Sequence, residues 1–357
     1  MDLAQQLLFV RPKERGGEVA QRGFDFQSCW AASHILEYEL KGNNYLFLFE
    51  YHDDIVVLDD NISPSSAKFI QVKVSENDWT LGRLINHNKS NPVSPIGKLF
   101  VHKQNFTGQN TKLSFVTNAY FKFDERTIIF GNELGEQEKE KVISKIGEQI
   151  SRDVTSELKD LSFVKTDLSM DDHSVHLVGK VHEFLEQHFE NGHKINPKAF
   201  SETLVNECRK KSKLKSSNIK TFSELVDKKG IHKSYVTEKL REINELAQNE
   251  PNWESASELF NVIGKSGIEL IRAKATFHSI AMKLSNINSM ELKYFKSLKD
   301  VYCADQASTD YNGLLKKSLE KVDADFPELK IVFNQLQKES LFVYTTLVCE
   351  VESQVMS

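Results

Sequence analysis

The fold is decided by one apolar run, Ala67-Lys68-Phe69-Ile70-Gln71-Val72-Lys73-Val74. Its length and its β-branched and aromatic residues are typical of a strand bounded by turns. Alternate side chains of a strand share a face, so Gln71 and Lys73 point the same way and lie ~7 Å apart. The predicted strand therefore ends with an amide and an ammonium group side by side.

Further elements are predicted on both sides of this run. Strands over Tyr45 to Tyr51 and Asp54 to Leu58 precede it, which makes three strands in a row and indicates an antiparallel meander. Apolar residues at helical spacing predict a helix over Glu18 to Leu40, before the strands. After the run, Pro95 to Gln104 is predicted as a helix and Thr111 to Thr117 as a strand. The resulting order, αβββαβ, indicates an α/β domain.

The second half of the chain has a different pattern. Glu133 to Leu161 is predicted as an amphipathic helix and Leu161 to Lys165 as a small strand, but beyond about Ser169 strand signals nearly vanish. Apolar residues there recur at three- and four-residue spacing, which indicates helices. A chain of 357 residues is long enough for two domains. We expect an α/β domain over residues 1–160 and an all-α region over 161–357 that serves oligomerisation and partner docking.

The residue types around Asp54 suggest chemistry on a phosphodiester. Hydrolysis of that bond requires an activated water and relief of negative charge, and Mg²⁺, or Mn²⁺, supplies both through oxygen ligands. Asp54 is the expected main ligand, with Glu50 and the backbone carbonyl of Val72 as further oxygens and Gln71 as a candidate. Lys73 would orient the water or stabilise charge on the phosphate. Taken alone, these residue types also fit a solvated strand face with a surface ion pair.

The charge distribution leaves DNA binding open. A net charge of −5 does not indicate a nucleic-acid binder, so any DNA-binding surface must be local or shared with a partner. One segment is strongly basic, with Arg209, Lys210, Lys211, Lys213 and Lys215 within seven residues. It fits a surface that follows DNA phosphates, and it fits a solvated linker between helices equally well.

Several classes of protein are disfavoured by what the sequence lacks. No apolar stretch approaches the ~20 residues that cross a bilayer, and Met1 to Val10 has no basic leader before an apolar core. The four cysteines are far apart without a Cys-x-x-Cys pair, so neither a disulfide framework nor a thiolate zinc site is indicated. We therefore expect a cytoplasmic protein without a membrane partner.

An acid on the second strand and Gln-x-Lys on the third resemble the PD-(D/E)xK nuclease core, the restriction-endonuclease-like fold. Over about residues 13 to 245 the chain is also similar to the nuclease domain of antiphage defence effectors. Members of that family occur joined to a SAVED sensor domain in cyclic-oligonucleotide systems, or are encoded beside a HerA-type ATPase. The similarity is carried by the motifs Arg15-Gly16-Gly17, Arg22-Gly23-Phe24-Asp25-Phe26-Gln27, Glu50-Tyr51-His52-Asp53-Asp54 and Gln71-Val72-Lys73.

The resemblance implies roles for particular residues. Asp54 and Lys73 take the positions of the catalytic acid and lysine, whereas Gln71 stands where most such enzymes have a carboxylate. A neutral amide binds a cation more weakly, so either Glu50 compensates or DNA phosphates complete the site. Gln27 belongs to a family signature and either positions the site or serves packing and capping.

These implications give one expected function and several alternatives. We expect a metal-dependent endonuclease that cuts double-stranded DNA as the effector of a bacterial antiphage system. Residues 170–357 show no pattern of a SAVED domain, which favours a homo-oligomer whose activity is controlled by assembly with a HerA-type ATPase. The alternatives are a non-catalytic DNA-binding or scaffold subunit, an effector that responds to a cyclic oligonucleotide, and hydrolysis of a nucleotide or NAD by the same core.

Overall fold

A computed structural model describes residues 16–87, 92–106, 110–190, 192–215, 219–248, 250–284, 289–304 and 311–356. The chain divides into two compact units. The first consists of Met1–Lys180 and Leu204–Tyr235, and the second of Val181–Thr203 and Val236–Ser357. The predicted division at residue 160 stays a prediction.

The elements up to Lys165 alternate between helix and strand. In chain order they are α1 Gly16–Lys41, β1 Leu46–Tyr51, β2 Asp53–Leu58, β3 Ser66–Lys73, α2 Leu81–Ile85, α3 Pro95–Asn105, β4 Asn110–Thr117, β5 Ile128–Phe130, α4 Glu136–Ile150 and β6 Leu161–Lys165. The remaining elements are α5 His173–His188, α6 Pro197–Lys213, α7 Phe222–Lys229, β7 Gly230–His232, α8 Lys233–Gln248, α9 Trp253–Val262, α10 Ile268–Leu284, α11 Met290–Ala304, α12 Tyr311–Asp325, α13 Pro327–Val332 and α14 Gln335–Met356.

The strands form one mixed sheet in the order β5-β6-β4-β3-β2-β1-β7. Strands β1, β2 and β3 make the antiparallel meander that the sequence predicts, with Ile55 opposite Ile70. Strand β4 is parallel to β3, and β6 is parallel to β4. A mixed sheet behind an N-terminal helix, with a helical C-terminal region, is therefore confirmed. The parallel pairing of β3 and β4 brings the ends of both strands to the same edge.

Both faces of the sheet are covered in the first unit. On one face, Phe69 of β3, Phe115 of β4 and Phe163 of β6 belong to a buried cluster with residues of α3 and α4. On the other face lies α1, whose His34 ring meets the Phe47 ring edge-on at 5.9 Å. Since α1 crosses β3 near its end, its side chains reach the polar residues there.

The long helix predicted over Glu133 to Leu161 is wrong in its bounds. Helix α4 ends at Ile150 because Ser151 adopts a left-handed conformation with φ of 56° and donates its N–H to the Gly147 carbonyl. A short 3-10 helix, Thr155–Asp160, follows and leads into β6. The predicted small strand at Leu161 to Lys165 is confirmed.

Strand β7 has no counterpart in the sequence prediction, which gives only helices for this part of the chain. It pairs antiparallel with β1, and Gly230 lies opposite Leu48. A Cβ atom on Gly230 would lie 2.5 Å from the Val226 carbonyl oxygen and 2.7 Å from Leu46 Cδ1. Glycine is therefore needed for this close approach.

The second unit is helical. Its core is built from aromatic and aliphatic side chains of α9 to α12 and of α14, among them Phe260, Phe277, Tyr294, Phe342 and Tyr344. Within the described parts of the chain, none of the helices has the length and apolar character needed to span a membrane.

Candidate active site

A cleft of about 700 Å³ opens beside the ends of β2 and β3. Five residues that the sequence analysis proposes for the site line it: Gln27, Glu50, Asp54, Val72 and Lys73. They come from α1, β1, β2 and β3, so the cleft is assembled by the helix and the meander together.

Asp54 and Lys73 are in direct contact. The Asp54 Oδ2 atom accepts the backbone N–H of Val72 at 2.9 Å and the Lys73 ammonium at 3.0 Å. The Asp54 side chain is 16% exposed and that of Lys73 40%. The carboxylate is thus held at the floor of the cleft, while the ammonium group remains open to a ligand.

The cleft holds negative charge at an energetic cost. Burial raises the pKa of the Asp54 carboxyl above its usual value, and the nearby Lys73 ammonium offsets this only in part. Burial also raises the pKa of the Glu50 carboxyl, and the negative charge of Asp54 raises it further. Two carboxylates that are desolvated and repel each other would be stabilised by a cation between them.

The donor set suits a hard cation. Glu50 and Asp54 offer carboxylate oxygens, and the Val72 carbonyl offers a third. The Val72 carbonyl accepts a hydrogen bond from Gln27 Nε2 at 3.1 Å, and a carbonyl oxygen has a second lone pair that can bind another partner. Within the described ranges, no group of three or more His, Cys, Asp or Glu residues is arranged to hold a metal ion. A cation here would therefore rely on few protein ligands, which is usual for Mg²⁺.

Gln71 does not line this cleft. It is 6% exposed and lines a second cavity, of about 380 Å³, together with His52, Asp53 and His102. Its Oε1 atom is buried and has no hydrogen-bond partner in the described part of the chain. The structure thus brings Asp54 and Lys73 together and places Gln71 beside a different cavity. The catalytic roles of all three stay predictions.

Two arginines in the cleft were not singled out from the sequence. Arg22 pairs with Asp171 and lies 3.6 Å from Glu76, and the Arg83 guanidinium stacks 4.1 Å from the centre of the Trp79 ring. Arg22 lies within a quoted motif and could have been noticed. No local signal indicates Arg83.

The basic segment is partly used in internal contacts. Arg209 pairs with Asp25 at 2.9 Å, and Lys211 donates to the Asp227 carbonyl at 2.5 Å. Lys210, which lies 3.5 Å from Glu207, is exposed, as are Lys213 and Lys215. The last three are therefore the better candidates for DNA contacts. Arg15, from the first quoted motif, lies outside the described residues.

Comparison with known proteins identifies one family. The family model for "Cap4, dsDNA endonuclease domain" matches residues 15–212. That range contains the cleft and all but two of the residues predicted for the site and for DNA binding, Lys213 and Lys215. No curated protein matches, and no solved structure does either.

Proposed function

The chain belongs to the Cap4 dsDNA endonuclease family of PD-(D/E)xK-type antiphage nucleases, and on this premise we propose a metal-dependent phosphodiesterase that cuts double-stranded DNA. The observation that carries the proposal is the contact between Asp54 and Lys73 at 3.0 Å. It lies at the adjoining ends of β2 and β3, in a cleft that also contains Glu50. The strand order supports assignment to the restriction-endonuclease-like fold, with the αβββαβ core extended by α2, β5, β6 and β7.

The residues of the cleft would have different roles in the reaction. Asp54, Glu50 and the Val72 carbonyl would hold Mg²⁺ or Mn²⁺, which when bound activates water and offsets the charge of the phosphate. Gln27 fixes the direction of the Val72 carbonyl. Lys73 places its positive charge where negative charge builds on the phosphate, an arrangement that requires no reorganisation during the reaction.

The biological setting is also proposed. The protein would act in the bacterial cytoplasm as an antiphage effector, as a homo-oligomer assembled with a HerA-type ATPase. Support comes from the similarity to effectors encoded beside such ATPases. A second unit built from helices offers surfaces for assembly. Control by assembly would keep a toxic nuclease inactive until the partner is present.

A plasmid digestion assay tests the proposal. Wild type, Asp54→Ala and Lys73→Ala would be incubated with supercoiled plasmid and Mg²⁺ or Mn²⁺, with and without a HerA-type ATPase. We expect the wild type to cut and the two cleft variants not to cut. Lys112→Ala provides a control that should cut like the wild type, because Lys112 pairs with Asp160 at 2.5 Å away from the cleft. Cutting by both cleft variants would show that the site is wrongly assigned.

One observation favours the scaffold alternative. Gln71 replaces the usual carboxylate and lines another cavity, so this position supplies no carboxylate to the cleft, unlike in a standard site of this type. If the assembled wild type binds DNA but cuts it under no metal condition, the chain is a DNA-binding subunit. Parallel incubations with NAD, nucleotides and cyclic oligonucleotides would reveal the remaining alternatives.

A further inference from the structure

A buried histidine–aspartate pair lies behind the catalytic cleft. His102 Nε2 is 2.9 Å from Asp53 Oδ2, and the two side chains are only 9% and 6% exposed. The His102 ring stacks on Phe69 with a centroid distance of 4.3 Å and an interplanar angle of 12°. The pair thus ties α3 to the start of β2.

The same aspartate also bonds to the backbone of Asp54. Asp53 Oδ1 accepts the N–H of Asp54 at 2.8 Å, while its Oδ2 faces His102. The Asp54 carboxylate is in turn held by the N–H of Val72 and by Lys73. A continuous series of hydrogen bonds therefore runs from His102 through Asp53 to Asp54 and Lys73.

The backbone beside this pair is strained. Strand β1 passes into β2 through a tight turn at His52, which has φ of 70°, and Glu50 near the end of β1 has φ of 48°. Residues other than glycine seldom adopt positive φ, and they do so only where surrounding contacts hold them. Glu50 and Asp54, the two acids of the cleft, stand on either side of this turn. Their separation therefore depends on what fixes the turn.

We propose that His102 is a positioning residue for the nuclease reaction. Its hydrogen bond to Asp53 fixes the start of β2, and this keeps the Asp54 carboxylate aligned with Lys73 in the cleft. The inference rests on the proposed function of Asp54. Outer hydrogen-bond partners of this kind typically contribute about 10- to 100-fold in activity, because a small displacement of a reacting group slows the chemical step.

The chain offers a matched control in His34. This histidine also lies in the first unit, bonds a carboxylate, Glu37, at 2.8 Å, and stacks on an aromatic ring, Trp30, at 4.7 Å. Each histidine also has one buried ring nitrogen without a hydrogen-bond partner among the described residues. His34 does not line the cleft. Its carboxylate partner is 47% exposed, so replacing His34 tests the general loss of a largely buried histidine that bonds a carboxylate.

The experiment compares His102→Leu, His102→Asn, His102→Gln and His34→Leu. The glutamine Nε2 can reach Asp53 and donate, whereas the asparagine amide is too short and leucine has no donor. Single-turnover cleavage would be measured at saturating protein, and duplex affinity by fluorescence anisotropy in EDTA. Hydrogen exchange of a peptide containing Asp54 reports its amide bond to Asp53 without any reference to catalysis.

We expect His102→Leu and His102→Asn to cut about 10- to 100-fold more slowly, with unchanged duplex affinity and faster exchange at Asp54. His102→Gln should recover most of the rate, and His34→Leu should match the wild type in rate. Equal rates for His102→Asn and wild type, or equal losses in the His102 and His34 variants, would overturn the proposal. If the wild type does not cut, the proposed function fails, and exchange at Asp54 still tests the positioning role.

Discussion

Replacing Asp54 with asparagine should abolish cleavage and at the same time make the protein at least as stable. Burial raises the pKa of Asp54, so the folded protein disfavours the charged form despite Lys73. An acid whose folded pKa is raised stabilises the fold while it is protonated, and this contribution is lost as pH rises through and above its ordinary pKa. Above its ordinary pKa the wild type therefore loses stability that the asparagine variant keeps.

The size of the effect follows from the contacts. Asparagine Oδ1 can still accept the Val72 N–H, which Asp54 accepts at 2.9 Å. The variant loses the ion pair with Lys73, an interaction of about 0.2–1 kcal/mol because the lysine is 40% exposed. Relief of desolvation outweighs this loss, and we expect a net gain of up to about 1 kcal/mol, a rise in Tm of about 2–4 °C. Cleavage should fall by at least about 10²- to 10³-fold.

Thermal unfolding in EDTA from pH 3 to pH 8, alongside plasmid cleavage, measures both effects. Asp160→Asn is the control, because Asp160 pairs with Lys103 at 2.6 Å and Lys112 at 2.5 Å, and these contacts outweigh burial and lower its pKa. It should lose about 1–3 kcal/mol at pH 7 and keep its activity. The gain of Asp54→Asn should vanish towards pH 3. A lower Tm than wild type at pH 7 would refute the electrostatic reasoning.

Further predictions concern the other proposed residues. Lys73→Met should slow cleavage about 10²- to 10³-fold and lower the stability by about 0.2–1 kcal/mol through loss of the ion pair with Asp54, and a rate near wild type would remove Lys73 from the site. Gln71→Glu puts a second carboxylate beside Asp53, so we expect a loss of about 1–3 kcal/mol in the free energy of unfolding and no change in the Mg²⁺ concentration that cleavage needs. Cleavage at a lower Mg²⁺ concentration than the wild type needs would place residue 71 at the metal. Exchanging Lys210, Lys213 and Lys215 for alanine should lower the slope of log K against log salt by about 0.9 for each DNA phosphate that is no longer neutralised, whereas an unchanged slope would mark a solvated linker. EDTA should abolish cutting and Mn²⁺ or Mg²⁺ restore it; EDTA-resistant cleavage would exclude the metal.

The sequence was informative where local pattern and position agree. The alternation in Ala67 to Val74 and the two strands before it predict the meander, and the meander alone brings Asp54 to the end of β3. The sequence was uninformative for short strands such as Ile128–Phe130 and Gly230–His232, because three residues are too few to show an alternation of apolar and polar side chains. These strands exist because the edges of a sheet that is already formed offer unpaired backbone groups.

Contacts between side chains that are far apart in the sequence were equally unpredictable from the sequence. His102 and Asp53 are 49 positions apart, and nothing in the α3 sequence distinguishes a histidine that bonds an aspartate from one that faces solvent. The Gln71 side chain shows the opposite limit. Alternation predicts that Gln71 and Lys73 lie side by side, yet Gln71 lines the cavity beside α3 and Lys73 lines the cleft beside α1.

The negative charge that Gln71 does not supply can come from Glu50. The acid of a standard site would stand on β3, two residues before the lysine, whereas Glu50 stands on β1 and lines the same cleft as Asp54. Burial raises the pKa of Glu50 and the negative charge of Asp54 raises it further, so the two carboxylates already repel each other within the cleft. A cation between them would relieve this repulsion, and its affinity would then depend on the turn that separates the two acids. If His102 holds this strained turn through Asp53, it would also affect how tightly the two acids bind a metal ion.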